Sequence, residues 1–124
     1  MVKILLDTTY LLPLFGVDVG LEDFKMLFPK LLNTYNVMYN PISLVEAKWI
    51  ILGLTRKDEM LRLKMLKRYV QGLKSILLDK RLKATELTNP SIEEFADELL
   101  LNNKLNDYFD RIIYSTAKHY NATL

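Results

Sequence analysis

Three carboxylates stand where a chain could gather them to hold a divalent cation. Asp7 follows the apolar run Val2-Lys3-Ile4-Leu5-Leu6, Glu46 interrupts a nearly unbroken apolar stretch, and Asp110 opens the last amphipathic segment. Hard carboxylate oxygens suit Mg²⁺ or Mn²⁺, which keep several waters and bind substrate phosphate directly. Other chemistries lack their residues. With no cysteine there is neither a thiolate site nor a cysteine nucleophile, and His119, the only histidine, cannot build a multi-histidine zinc centre. The four glycines, at 16, 20, 53 and 72, are too scattered for a phosphate-binding loop.

Each acid needs an element to position it. The run before Asp7 is short and undiluted by polar residues, as in a strand of a parallel sheet buried on both faces. Asp7 then falls at the carboxyl end of that strand, outside which the ligand crevice of an open α/β sheet lies. An Asp at such a corner serves equally as the N-cap of the helix that follows. Over 43–54 the apolar residues Leu44, Val45, Ala47, Trp49, Ile50, Ile51, Leu52 and Leu54 surround a helix on nearly all sides, which predicts burial. Glu46 and Lys48 break that pattern and point about 160° apart, too far to pair. Glu46 is therefore either a cation ligand or the partner of Ser43 in a capping box, Ser-x-x-Glu. Ser91-Ile92-Glu93-Glu94 carries the same signature and reads as a cap alone. In the last helix, 107 to about 120, Phe109, Ile112, Ile113, Thr116, Ala117 and Tyr120 share one face, with Asp110 at its edge. Asp107 could cap that helix and Asp110 could answer its dipole.

The rest of the chain supplies a scaffold of matching kind. A helix over 21–33 broken near Pro29, a strand at 37–39, a helix over 58–78, a strand over 82–87 and a helix over 91–101 alternate as in an α/β fold. Such alternation implies a three-layer α/β/α arrangement around a central, mostly parallel sheet. The 124 residues, half of them hydrophobic, fit one domain with one core. No apolar stretch approaches the ~18 residues of a membrane span, and a secretory signal is missing, so a cytoplasmic protein with no membrane partner is expected. The net charge of +2 conceals an asymmetry, because 56–83 holds ten Lys or Arg against three acids, +7, and the remainder is −5. The 58–78 helix has an apolar seam of Leu63, Leu66, Val70, Leu73 and Leu77, which packs on this domain's own sheet or joins two copies in a homodimer. Its Arg62, Lys64, Lys67, Arg68 and Lys74 either solvate the outer face or bind the phosphates of a nucleic acid.

Taken in order, Ile4-Leu5-Leu6-Asp7-Thr8-Thr9-Tyr10-Leu11-Leu12, Pro41-Ile42-Ser43-Leu44-Val45-Glu46 and Asn106-Asp107-Tyr108-Phe109-Asp110-Arg111-Ile112-Ile113-Tyr114-Ser115-Thr116-Ala117 resemble the three acidic blocks of the PIN-domain nuclease family. Asn121-Ala122-Thr123-Leu124 is similar to the start of the family's fourth strand. The resemblance implies a PIN-like fold and a Mg²⁺- or Mn²⁺-dependent endoribonuclease of the toxin-antitoxin kind, with RNA as substrate and an antitoxin protein as partner. It implies Asp7, Glu46 and Asp110 as catalytic metal ligands, Thr9 as a helper beside the first acid and Asp107 as an accessory acid. It also implies a further acid beyond that fourth strand, so the chain is expected to be truncated with respect to the family. A non-catalytic nucleic-acid- or protein-binding module on a PIN-like fold is the alternative.

Overall fold

Three short apolar runs, Lys3–Leu6 (β1), Asn36–Tyr39 (β2) and Leu82–Ala84 (β3), form a parallel sheet in that order in the computed structural model, which describes residues 1–124. Leu6, Tyr39 and Ala84 lie side by side, so the strands end level and the residues that follow emerge along one edge. On the free side of β1 the terminal segment forms a parallel bridge between Ile4 and Thr123. There the Leu5 amide donates to the Thr123 carbonyl at 2.8 Å and the Thr123 amide to the Lys3 carbonyl at 2.9 Å. A strand beginning over 121–124 was expected, and the pairing at Thr123 agrees with it.

Helices cover both faces of this α/β fold. Alternation along the strands sends Ile4, Leu6, Val37, Tyr39 and Leu82 to one side. There they pack with α1 (Thr8–Leu11), the 3₁₀ turn Leu12–Phe15, α2 (Phe24–Thr34), α3 (Pro41–Leu54) and α4 (Glu59–Leu78) in the main core. Leu5 and Met38 face the other way and meet Ile113 and Ala117 of α6 (Tyr108–His119). Helix α5 (Pro90–Asn103) joins α6 through Ile92, Ala96 and Ile112. Six helices and a parallel sheet covered on both faces are compatible with three layers. No helix is long and apolar enough to cross a membrane.

Several elements depart from the sequence expectation. Helix α2 runs through Pro29 without a break. Proline there removes only the bond to the Lys25 carbonyl, within the first two turns. The apolar seam of α4 is rotated: Met65, Tyr69, Gly72 and Ile76 are buried, whereas Leu63, Val70 and Leu77 are exposed. Gly72 explains the rotation, because a Cβ there would lie 2.5 Å from the Leu14 carbonyl oxygen; α4 meets the 3₁₀ turn through its glycine. Strand β3 stops at Ala84 rather than 87. Most consequential, α3 is not buried all round. Leu44, Ala47 and Ile51 face the core, while Val45, Trp49, Leu52 and Leu54 are exposed.

Both expected capping boxes are replaced by Asn-Pro starts. Asn40, not Ser43, caps α3 by accepting from the Ile42 amide at 2.9 Å, and Asn89, not Ser91, caps α5 by accepting from the Ile92 amide at 2.9 Å. Proline at the first helical position loses only an amide that has no partner there anyway. Asn40 is fully buried, and its Nδ2 donates to the Leu87 carbonyl at 3.0 Å and to Thr116 Oγ1 at 2.8 Å. One side chain thus ties α3, the loop after β3 and α6. Asn40→Ala removes a cap and leaves one buried and one part-buried acceptor without its donor, so urea unfolding should record a loss of roughly 2–3 kcal/mol. A loss within a few tenths would mean that these bonds re-form elsewhere.

Candidate metal centre

Asp7, the residue after β1, sits at the carboxyl edge of the sheet and caps α1, its Oδ1 accepting from the Thr9 amide at 3.0 Å. Glu46 lies on the second turn of α3, which leaves the same edge after Asn40. Asp107 caps α6 through its Oδ1, which accepts from the Asp110 amide at 3.2 Å, and Asp110 lies in that helix's first turn. Both roles foreseen for Asp107 and Asp110 as helix-start acids are therefore observed. They do not preclude ligation, since each carboxylate retains a second oxygen.

The chain brings Glu46, Asp107 and Asp110 together: one side-chain oxygen from each lies within 4.8 Å of the others. Asp7 is outside this close group, although its charge contributes to raising the pKa of both Glu46 and Asp110. Of the three acids expected as ligands, two converge, and Asp107 stands in the group where Asp7 was expected. Thr9 is exposed and touches Asp7 only through its backbone amide. The hydroxyl that serves the site belongs to Thr8, 5% exposed, which donates to Glu46 Oε1. Sequence carries no signal that picks Thr8 over Thr9; in the fold the side chain of Thr8 turns inward and that of Thr9 turns out.

The alternative role for Glu46 does not survive. Ser43 is not the cap of α3, and its hydroxyl is buried without a partner. Glu46 is pushed above the ordinary carboxylate range, first by desolvation and then by Asp110, Asp107 and Asp7, against the opposing bond from Thr8. Desolvation likewise raises Asp110, with Asp107 and Asp7 adding to it. No cationic side chain relieves this crowding. The molecule's single salt bridge is Arg81–Asp79, at 3.0 Å. Arg111, next in sequence to Asp110, spends its Nη1 on the carbonyls of Leu105 and Asn106 at 3.1 and 2.6 Å. Partly buried carboxylates without a cation partner are costly, and a hard divalent ion is the group that their oxygens fit.

Of the five basic residues expected to track phosphates, one is held by the protein's own backbone and four are exposed. Arg62 donates to the Leu52 carbonyl at 2.7 Å and to Thr55 Oγ1 at 3.3 Å, holding the end of α3. The exposed Arg68 side chain passes close to Gly16, just after the 3₁₀ turn. Lys64, Lys67 and Lys74 are exposed.

The site is thus a carboxylate cluster at the end of a parallel sheet, walled by α3 and α6. No family model and no curated protein matches the chain, and the chemistry rests on this geometry.

Proposed function

We propose that the protein is a metal-dependent phosphodiester hydrolase acting on RNA. The observation that carries this reading is the meeting of Glu46, Asp107 and Asp110, with no basic partner, at the carboxyl edge of the sheet. Those three residues would hold Mg²⁺ or Mn²⁺. Bound there, the cation would supply Lewis acidity toward a phosphate oxygen and lower the pKa of water. Thr8 fixes the orientation of Glu46 through its hydroxyl, as outer partners of metal ligands do. Asp7 has a separate part. Its Oδ1 is engaged by the Thr9 amide, which leaves Oδ2 to take a proton from the attacking water. The PIN-like, three-layer fold and the preference for RNA over DNA come from the sequence resemblance, as does an antitoxin-like partner.

The test is cleavage of a single-stranded RNA by the purified chain with Mn²⁺ or Mg²⁺. Cleavage should disappear on chelation, return when the cation is restored, and be lost in Glu46→Gln. Intact RNA at all cation concentrations, with no binding of the cation, would overturn the reading.

A further inference from the structure

Beside the carboxylate cluster stands an aromatic ledge that the metal chemistry does not use. Trp49 is 67% exposed, unusual for the only tryptophan of the chain, and lies on α3 three residues beyond Glu46. Three residues place it about 4.5 Å further along the helix and about 60° around it, at the flank of the acid. Phe109 lies with Tyr108 between Asp107 and Asp110 and directly precedes Asp110. The two rings meet with centroids 5.8 Å apart and planes at 82°. An edge-to-face neighbour covers at most one face of the indole, so the other remains open. Phe109 thus steadies the indole against the same helix that carries Asp107 and Asp110.

Neither folding nor burial accounts for this exposure. The core side of α3 is filled by Leu44, Ala47 and Ile51, and Trp49 contributes nothing there. The charges on its two flanks differ. On one side are the acids that would take a phosphate through a cation. On the other is Lys48, whose Nζ sits 4.8 Å from the centre of the Tyr69 ring. A strand of nucleic acid with one phosphate at the carboxylates and the next directed toward Lys48 would cross the indole.

We infer that Trp49 is a positioning residue: it stacks a base of single-stranded RNA next to the phosphate held at Glu46, Asp107 and Asp110. This inference rests on the nuclease reading above. Stacking suits the task because every base offers a π face, so the ledge sets the path of the strand without reading its sequence. It also requires the flanking base to be unpaired, which makes the enzyme selective for single strands.

As the sole tryptophan, Trp49 reports on its own contact. With Mg²⁺ replaced by Ca²⁺, titration with oligoadenylate should quench the tryptophan fluorescence, and an abasic ribose-phosphate oligomer of equal length should leave it unchanged. Base stacking is worth about 1–3 kcal/mol, so Trp49→Ala should weaken oligoadenylate binding by roughly 5- to 150-fold, while Trp49→Phe retains most of it. Affinity for the cation should be the same in all three proteins, because Trp49 is not a ligand. RNA that binds without quenching, or equally well to Trp49→Ala, would overturn the stacking role and leave the nuclease reading standing. RNA that fails to bind the cation-loaded wild type would overturn both. A change of sedimentation in Trp49→Ala in place of a change in RNA affinity would assign the ledge to contact between copies and overturn the inference.

Discussion

Glu46→Gln will raise the thermal stability of the metal-free protein and erase the stabilisation that Mn²⁺ gives it. Glu46 and Asp110 both titrate above their ordinary range in the folded chain, chiefly because burial disfavours their charged forms. The folded state then binds protons more tightly than the unfolded state, so unfolding becomes easier as pH rises. The destabilisation is complete above the raised folded values, and it fades as pH falls through them toward the unfolded value of about 4. Metal-free wild type should therefore gain stability relative to Glu46→Gln as the pH is lowered from 7 toward about 4. Thr8 retains an acceptor in the glutamine carbonyl, so the variant tests charge rather than packing. A bound cation reverses the balance by favouring the deprotonated acids and releasing protons. At a concentration 100-fold above Kd it adds about 2.7 kcal/mol, which in a domain of this size is roughly 10 °C in Tm. Scanning calorimetry with and without Mn²⁺, over that pH range, measures each of these effects. A wild type insensitive to Mn²⁺, or a variant less stable than wild type at neutral pH without metal, would remove the crowded-carboxylate account.

Asp107→Asn and Asp7→Asn should separate two functions, where the resemblance implied Asp7 as a ligand and Asp107 as an accessory acid. Each Asn retains an oxygen for its helix cap, Asp107 for the Asp110 amide and Asp7 for the Thr9 amide, so neither variant loses its helix start. Asp107 belongs to the close group and Asp7 does not. Losing a ligand should cost more than the 10- to 100-fold in affinity typical of an outer partner, so Asp107→Asn should weaken Mn²⁺ binding by over about 100-fold. Asp7→Asn should leave that affinity within a few-fold and lower kcat by on the order of 10²-fold or more, the scale of a lost general base. Calorimetric titration with Mn²⁺ and cleavage rates at saturating metal give the two columns of this comparison. If Asp7→Asn lost the metal and Asp107→Asn kept it, the acid at the strand end would be the ligand and Asp107 a cap only.

The places of the acids were legible because they depend on short-range rules. An apolar run ending in Asp, and an acid in the first turn of an amphipathic helix, survive translation into coordinates almost unchanged. The choice among neighbours was not legible. Thr8 and Thr9 are the same residue type one position apart, and only the inward turn at the end of β1 selects Thr8. Asp107 was ranked below Asp7 on the family resemblance, and sequence gives no measure of how close the start of α6 approaches α3. The two helix caps were misjudged for a definable reason: Ser-x-x-Glu was preferred where Asn-Pro, a cap followed by a residue already lacking its amide proton, was the stronger local signal. The outer face of α3 and the rotated seam of α4 were misread because apolar residues occur on nearly all sides of both helices. Periodicity then cannot name the inner face, and tertiary contacts such as that of Gly72 with Leu14 decide it.

The buried amide of Asn40 has a kinetic consequence. It joins the start of the helix bearing Glu46 to the helix bearing Asp110, so separating the two helices breaks a buried bond that they share. That shared bond favours holding the carboxylates at their spacing before any cation arrives. A cation held at such a mouth would exchange at a rate set by the ion itself, through the reluctance of Mg²⁺ to shed its water, and the protein would serve as a fixed receptacle rather than a clasp.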